Sequence, residues 1–515
     1  MKLKTILASA MVALLLSSCS KTETPDGPVI GESNVGYISI AVETQKQSRG
    51  SSELTGTEND LKSLYLITFD DSDAIVGIPG SSTYYSAITS SVSASPGAVK
   101  VSTAATNLVV IANPGAKLLA ALNTLNASST YATFNAAITG ATIAEIDNGT
   151  AGFTMISCDE ATATANQILK PYVDIDGKMT VVATTDAAAK AEAEESGNRV
   201  AVTIERLASK LEVAVGGTVS KPEGSTFAFG TWTVDAVNGS FYPFAEKTLG
   251  TNHTSGTYTK NFYTKDPNYT DNTGISYGVV APGAANSWSY EPVLAHSYTW
   301  QAAASTVYTL ENTMAAAEQR FQNATRLVIK ATYYPSGFSS GDWFHFAGYN
   351  YDLTSLKTAY GVVENVNLQA ACDAMYAKIA AYYINVGKTL AAADFAALTQ
   401  AELDEVKNGG EVVKDGANAV IRWYQDGLNY YYYEIRHNND ADGHMAFSKY
   451  GVVRNNWYKL TLNSVSGAGT PWYPDIINPG PGDPDPTDPI DEEAGYLGIT
   501  VTVADWILWE TGFGI

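Results

Sequence analysis

The chain has 515 residues, of which 45% are hydrophobic and 16% charged, and its net charge is −22. This length predicts about two to four domains with sizeable cores, and the acidity excludes nucleic acid as a partner, because phosphate binding needs clustered basic side chains. The charged fraction lies below the ~25% of typical soluble domains, which favours a β-rich surface protein.

The N-terminus has the pattern of an export signal. Lys2 and Lys4 precede an apolar run from Ile6 to Leu16, which is too short for a stable transmembrane helix. The run ends in Leu-Ser-Ser-Cys at residues 16–19, which resembles a bacterial lipobox. The resemblance implies that Cys19 carries diacylglycerol and an N-acyl chain such as palmitate. An ordinary secretory signal with an incidental cysteine is the alternative.

The first half of the chain alternates between apolar segments and polar turns. Residues 35–44 form an alternating strand, and residues 45–60 form an exposed polar loop in which the Arg49–Gly50 bond is open to proteolysis. Further strands are predicted at 61–70, 107–115, 152–160, 178–185 and 199–215, and short helices at 116–126 and 186–198. We expect a signal peptide at 1–19, a propeptide at 20–49 that contains the first strand, and an N-terminal β-sandwich domain at 50–215.

The second half repeats this organisation with longer insertions. Strands are predicted at 226–244, 276–283, 325–334 and in a pair at 450–467, a hairpin around Asp426-Gly427 within 419–437, and helices at 356–387 and 392–409. A C-terminal β-sandwich domain should span 216–475. The fold class is mainly β, with two Greek-key β-sandwich domains and helical insertions. The Pro/Asp-rich linker at 476–494 is too polar to pack and leads to a C-terminal strand within 495–515.

The C-terminal strand resembles the first strand position by position. "GYISIAVE" occupies 36–43 and "GYLGITVT" occupies 495–502. Both place branched aliphatic residues on one face and small or polar residues on the other. The aliphatic faces are Ile38, Ile40 and Val42 in the first strand, and Leu497, Ile499, Val501 and Val503 in the last, with Trp506 as a further contact.

Two strands with the same apolar face predict strand exchange between molecules. The extended linker spans ~60 Å at ~3.1 Å per residue, so the C-terminal strand could enter the groove of a neighbour by β-addition. One groove cannot hold both strands. Cleavage between Arg49 and Gly50 would release the first strand together with the lipid anchor. Head-to-tail contacts that do not close then produce filaments.

Several segments of the chain resemble the fimbrillin family of the Bacteroidales, and most closely the minor-fimbrium shaft subunits of Porphyromonas. The carrying segments are the lipobox, "FTMISCDE" (153–160), "VTIERLASKLEV" (202–213), "YTLENTM" (308–314), "TRLVIKATY" (325–333) and "GVVRNNWYKLTLNSVSGAGTP" (451–471). The resemblance implies two transthyretin-like β-sandwich domains and export as an outer-membrane lipoprotein. It also implies cleavage by an arginine-specific surface protease, with Arg49 at the matching position, and donor-strand assembly into a cell-surface fimbrium.

The resemblance further implies a non-enzymatic shaft subunit that mediates adhesion and biofilm formation. Its partners would be other copies of itself, accessory tip and anchor subunits, and host or bacterial surface receptors. A monomeric glycan-binding surface lipoprotein is the alternative, because Tyr430 to Tyr433 could stack on sugars. No catalytic motif is present.

No metal and no cofactor other than the lipid are predicted. "HNNDADGH" (437–444) echoes the start of a calcium loop, but Lys449 stands where that loop needs glutamate. Cys158 and Cys372 could pair or remain as buried thiols.

Overall fold

A computed structural model of the chain describes 34–44, 58–90, 92–158, 168–183, 185–249, 262–271, 275–276, 299–346, 349–352, 355, 422–437, 444–474, 476, 483–492 and 497–505. The mainly β class predicted from the sequence is confirmed. The Greek-key connections remain a prediction. No helix in these residues is both long and apolar enough to cross a membrane.

The first half of the described chain contains thirteen strands and three helices. The strands are β1 (Val35–Ile38), β2 (Ile40–Thr44), β3 (Leu64–Phe69), β4 (Ile75–Val76), β5 (Ser86–Ile88), β6 (Val99–Ser102), β7 (Asn107–Ala112), β8 (Ile138–Thr139), β9 (Met155–Ser157), β10 (Ile168–Leu169), β11 (Val173–Asp174), β12 (Thr180–Val181) and β13 (Val200–Arg206). The helices are α1 (Ala116–Leu122), α2 (Tyr131–Phe134) and α3 (Asp186–Ala193), with 3₁₀ turns at Ile143–Glu145 and Gly149–Ala151.

The second half contains the remaining strands of the described chain. They are β14 (Ala208–Ser220), β15 (Thr226–Asp235), β16 (Val237–Asn238), β17 (Ser240–Phe241), β18 (Glu246–Leu249), β19 (Phe262–Lys265), β20 (Ile275–Ser276), β21 (Thr306–Leu310), β22 (Arg326–Tyr334), β23 (Trp343–Phe346), β24 (Tyr349–Tyr351), β25 (Arg422–Tyr424), β26 (Leu428–Glu434), β27 (Asn456–Val465) and β28 (Leu497–Asp505). Short 3₁₀ turns lie at Ala316–Glu318, Gln425–Gly427 and Ile490–Glu492.

The central sheet of the first half is covered on both faces. Its strand order is β2-β13-β9-β7-β3-β4, with β11 against β7 and β5 against β3. Alternate residues of β3 belong to different cores: Leu64 and Leu66 face the core that contains the first strand, whereas Ile67 and Phe69 face the opposite core. A strand buried on both faces needs a continuous apolar run rather than alternation, and "LYLITF" provides it.

The two halves of the chain share one of these cores. One residue, Leu207, separates the end of β13 from the start of β14, so the chain changes sheets there, ahead of the domain boundary predicted between 215 and 216. Leu207, Phe244 and Trp457 lie in the same apolar cluster as Ile67 and Phe69. The halves are also joined by strand pairs, β8 with β17 and β10 with β18.

The second half is a sandwich of two main sheets. One has the order β21-β14-β27-β28 and the other the order β15-β22-β26. Their facing residues form a core that includes Leu211, Trp232, Ile329, Tyr431 and Leu460. The C-terminal strand β28 lies at the edge of the first sheet, paired only with β27 among the described residues.

The predicted hairpin around Asp426-Gly427 is wrong. Strand β25 pairs with β23, and β26 pairs with β22, so the two strands belong to different sheets. Asp426 and Gly427 do turn the chain, with positive φ angles of 46° and 70°. The turn directs the chain to a new sheet. The strand pair predicted within 450–467 is instead the single strand β27, which pairs with β14 and β28.

Both short helices predicted in the first half are confirmed at α1 and α3. The helices predicted at 356–387 and 392–409 lie outside the described residues.

Candidate strand-exchange site

The first strand belongs to two sheets. β1 pairs antiparallel with β6 and β12, and β2 pairs in parallel with β13. The crossing point is Ser39, which is buried. Its carbonyl accepts the Val200 amide at 2.8 Å, and its hydroxyl donates to the Pro96 carbonyl at 3.3 Å. The strand therefore links the two sheets of the N-terminal half through a single residue.

The predicted displaced residues Ile38, Ile40 and Val42 are all buried. They pack in one core with residues of both sheets, among them Leu66, Val101, Leu108, Val110, Val202 and Ile204. Each buried aliphatic side chain stabilises the fold by ~1.5–3 kcal/mol before entropy costs. Loss of this strand would open a long apolar groove that needs another strand to fill it.

The glycine-tyrosine pair at the start of the strand occupies a tight site. A Cβ atom on Gly36 would lie 2.5 Å from Met179 Sδ, so a larger residue must push Met179 aside. The Tyr37 ring is buried against Ala189 and Ala193 of α3, and the Lys190 ammonium lies 5.3 Å from the ring centroid. The space at this site therefore fits a small residue at position 36 and an aromatic residue at position 37.

The C-terminal strand is docked on its own chain. β28 runs antiparallel to β27, with Val501 opposite Leu460, Ile499 opposite Leu462 and Leu497 opposite Val465. Leu497 and Val501 are buried in the second-half core, and Ile499 is half-buried against it. The face predicted for exchange is thus already in use, so docking on β27 and docking on another molecule exclude each other.

The first residues described after the predicted cleavage site are held at the junction of the two halves. The Glu58 carboxylate is buried, lies 2.8 Å from Lys210 Nζ, and accepts the Tyr308 hydroxyl at 2.5 Å. Arg206 Nε donates to the Glu58 carbonyl at 2.9 Å. Burial lowers the pKa of Arg206 to about 10, with partial compensation by Glu58, so Arg206 stays charged at neutral pH. Lys210 Nζ also lies 4.0 Å from the Trp457 ring centroid.

The linker expected to be too polar to pack contains docked residues, so that prediction is wrong at Ile476, which is buried, at Asp483, which accepts the Trp472 indole N–H, and for residues 486–491. Ile490 is buried with Met314, Ala324 and Tyr450. Its amide donates to the Gln319 carbonyl at 3.1 Å, and Gln322 donates to the Pro486 carbonyl at 3.0 Å. We call Ile490, Asp491 and their contacts the latch.

Asp491 supplies the polar half of the latch. Its carboxylate accepts Lys449 Nζ at 2.7 Å, the Tyr450 hydroxyl at 2.6 Å and the Met445 amide at 2.6 Å. Burial pushes the pKa of Asp491 upward, but these bonds outweigh it and hold the pKa below its usual value. The sequence contained one signal of the latch, an isolated isoleucine inside an acidic proline-rich stretch.

Several predicted site residues lie outside the described part of the chain. They are Cys19, Arg49, Gly50 and Trp506. Val503 lies in β28 opposite Tyr458, and its side chain is outside the description. Cys372 is likewise outside it, and Cys158 is buried.

Other chemistries find little support in the described residues. Of the four tyrosines Tyr430 to Tyr433, Tyr430 and Tyr431 are buried and so unavailable to stack on a sugar, whereas Tyr432 and Tyr433 are half-buried. His437 is buried with Nδ1 2.7 Å from the Tyr458 hydroxyl, and residues 438–443 of the calcium-like segment are not described. Within the described ranges, no group of three or more His, Cys, Asp or Glu side chains is arranged to hold a metal ion.

Two family models match the chain, and together they cover about half of it. Residues 37–206 match the family "Major fimbrial subunit protein (FimA)". Residues 422–511 match "Major fimbrial subunit protein type IV, Fimbrillin, C-terminal". The first match begins within β1 and ends with β13, and the second includes β26, β27 and β28. None of the curated proteins compared with the chain matches it.

Solved structures similar to the chain include proteins from Parabacteroides distasonis and Porphyromonas gingivalis. A proposed cell adhesion protein from Parabacteroides distasonis shares 14% identity over 92% of this chain and 99% of its own, with a TM-score of 0.41. A fimbrilin (fimA) from Porphyromonas gingivalis shares 13% identity over 92% and 98%, with a TM-score of 0.39. The tip fimbrial protein Mfa3 from Porphyromonas gingivalis shares 11% over 92% and 100%, with a TM-score of 0.32.

Proposed function

We propose that this chain, which belongs to the fimbrillin family and is a structural subunit of a cell-surface fimbrium, polymerises by donating β28 to a neighbouring copy. The donated strand would take the place of β1 and β2. Leu497, Ile499 and Val501 would fill the positions of Ile38, Ile40 and Val42.

One observation carries this proposal: both strands are buried through the matching aliphatic face. Ile38 and Ile40 are buried in the first groove, and Leu497 and Val501 are buried on β27. A strand that already packs through this face needs no new complementarity to enter a groove shaped for the same face. The donated strand exchanges its burial on β27 for burial in the groove, so the transfer conserves most of the burial energy of this strand.

We propose that release of the first strand starts polymerisation. We expect the precursor to be exported, lipidated at Cys19 and cut by an arginine-specific surface protease between Arg49 and Gly50. While the chain is intact, β2 is an intramolecular partner of β13 and its effective concentration is high. After cleavage it can dissociate and be lost. The contacts of Glu58 with Lys210 and Arg206 support cleavage before strand release, because they would hold the chain a few residues after the new N-terminus.

A subunit with both a groove and a donor strand suits a position in the shaft. We propose that such shafts mediate adhesion and biofilm formation, with accessory tip and anchor subunits at their ends and receptors on host or bacterial surfaces. Trp506 would add a contact beyond the exchanged strand.

The test uses purified precursor with Cys19 replaced by alanine, treated with an arginine-specific protease. Ladders on gels run without boiling are expected after cleavage and absent before it. Arg49→Lys is the matched control, because it keeps the charge and removes the preferred cleavage residue. Deletion of residues 495–515 should abolish the ladder without preventing cleavage. Polymerisation of the truncated protein would contradict β28 as the donor, and ladders from uncut Arg49→Lys would contradict the trigger.

A further inference from the structure

The latch holds the chain immediately before the proposed donor strand. We propose that it stays closed while β28 is donated, and that it is the fixed root from which the donor reaches the neighbouring subunit. This inference rests on the proposed strand exchange. It assigns to Ile490 and Asp491 a docking site on the same chain, lined by Met314, Ala324, Tyr450 and Lys449.

The latch combines apolar and ionic contacts. Ile490 is 5% exposed, and the Lys449 and Asp491 side chains are 12% and 9% exposed. Partial burial shields this ion pair from solvent, and the Tyr450 hydroxyl and Met445 amide complete the bonding of the carboxylate. If Asp491 left this site, the Lys449 ammonium and the Met445 amide would each lose their bond to its carboxylate.

The likeness between the first and last strands does not extend to Ile490 of the latch. Aligned with Gly495 on Gly36, Ile490 falls on Gly31 and Asp491 falls on Glu32. A neighbour's groove shaped for the first strand therefore replaces the contacts of β28, whereas the residue aligned with the buried Ile490 is a glycine. When β28 is donated, the burial that it loses on β27 is regained in the neighbour's groove. When the latch opens, the burial of Ile490 is lost without such a replacement. This asymmetry favours a closed latch in the polymer.

A closed latch shortens the reach of the donor. Only residues 492–494 separate Asp491 from Gly495, and three extended residues span about 10 Å. The free linker would span ~60 Å. The neighbour's groove must then begin close to Lys449 and Tyr450, so that the two subunits meet directly at this surface rather than through a long tether.

A disulfide across the latch tests the proposal. Arg320 and Pro489 lie opposite each other in an isolated antiparallel bridge, a spacing suited to a cross-link. The variant carries Arg320→Cys and Pro489→Cys, with Cys19, Cys158 and Cys372 replaced by alanine. After cleavage, the oxidised and reduced forms should polymerise at rates within about twofold of each other. Polymerisation of the reduced form alone would overturn the latch proposal and leave strand exchange standing.

Amine labelling gives a second readout on the unmodified latch. Lys449 acylation, measured by mass spectrometry, should be no faster in the polymer than in the monomer. Asp491→Asn should label severalfold faster, because the ion pair is lost. Labelling of polymer at the rate of Asp491→Asn would overturn the proposal even if the cysteine variant fails to fold. If the parent protein forms no polymer after cleavage, the exchange proposal fails and the root function fails with it.

Discussion

Val501 lies directly opposite Leu460 in the antiparallel pair of β28 with β27. The strand proposed for donation is therefore stored on its own chain with its apolar face covered. An exposed apolar strand on a tether invites uncontrolled edge-to-edge association. Storage on β27 prevents this until a neighbour offers an equivalent groove.

Replacement of Val501 by aspartate should prevent assembly. The valine side chain is buried in the subunit, and the aligned Val42 is buried in the groove. Loss of ~1.5–3 kcal/mol of apolar burial predicts at least tenfold weaker docking of the strand on β27 and in a neighbour's groove alike. The buried charge adds to this, so the undocked strand is favoured. Ladder formation after cleavage measures the effect. Thr502→Asp is the control, because alternation places Thr502 on the opposite face. Equal loss with both variants would contradict a face-specific interaction.

The pair Gly495-Tyr496 should set the register of the donor. The equivalent Gly36 lies against Met179, and Tyr37 fills the site beside α3. Gly495→Val should slow polymerisation severalfold, and Met179→Ala in the acceptor should restore the rate by making space. Mixed-subunit assembly kinetics would reveal the rescue. If Met179→Ala leaves the Gly495→Val rate unchanged, the donor enters in another register.

Glu58→Gln should destabilise the mature subunit. The substitution breaks a buried ion pair and removes the carboxylate partner of the Lys210 ammonium, which predicts a loss of about 3–5 kcal/mol in the free energy of unfolding. Denaturant titration of the cleaved protein measures it. Lys62→Gln is the control, because Lys62 pairs with Asp60 on the surface and such pairs contribute about 0–1 kcal/mol. Similar losses for both variants would refute the anchoring of the new N-terminus by Glu58.

The latch should open in acid. The folded pKa of Asp491 is held below its usual value, so its contribution is present above the unfolded pKa of about 3.9 and is lost as pH falls through the folded pKa. Hydrogen exchange at the Ile490 amide, corrected for intrinsic rates, should be constant from about pH 7 to pH 5 and accelerate below about pH 4. Asp491→Asn should exchange rapidly and show no such transition. An unchanged pH profile in this variant would assign the transition to another group.

The sequence was most informative where local pattern and tertiary environment agree. The continuous apolar run of β3, the helix α1 and the strand β22 lie within the predicted ranges. The hairpin at Asp426-Gly427 failed because a turn signal specifies that the chain bends and not which sheet receives it.

Parts of the candidate site could likewise be predicted from the sequence, and other parts could not. Both strands could be found from their alternation, because burial of one face fixes a period of two. The docking of β28 on β27 could not be predicted from the sequence, because the same apolar face fits two grooves. Ile490 was missed because composition averages over a segment, whereas one buried side chain and one paired carboxylate are enough to dock it.

The near-continuity of β13 and β14 through Leu207 has a mechanical consequence. In a fimbrium assembled as proposed, tension from one neighbour enters along β13 and passes through the backbone into β14. The tension is then transmitted from β14 to β27 through their parallel hydrogen-bond ladder. The latch would transmit it to the donated strand and so to the next neighbour. Force along the strands shears all the rungs of each ladder together instead of unzipping them one by one. A filament made of such subunits should resist stretching far better than peeling.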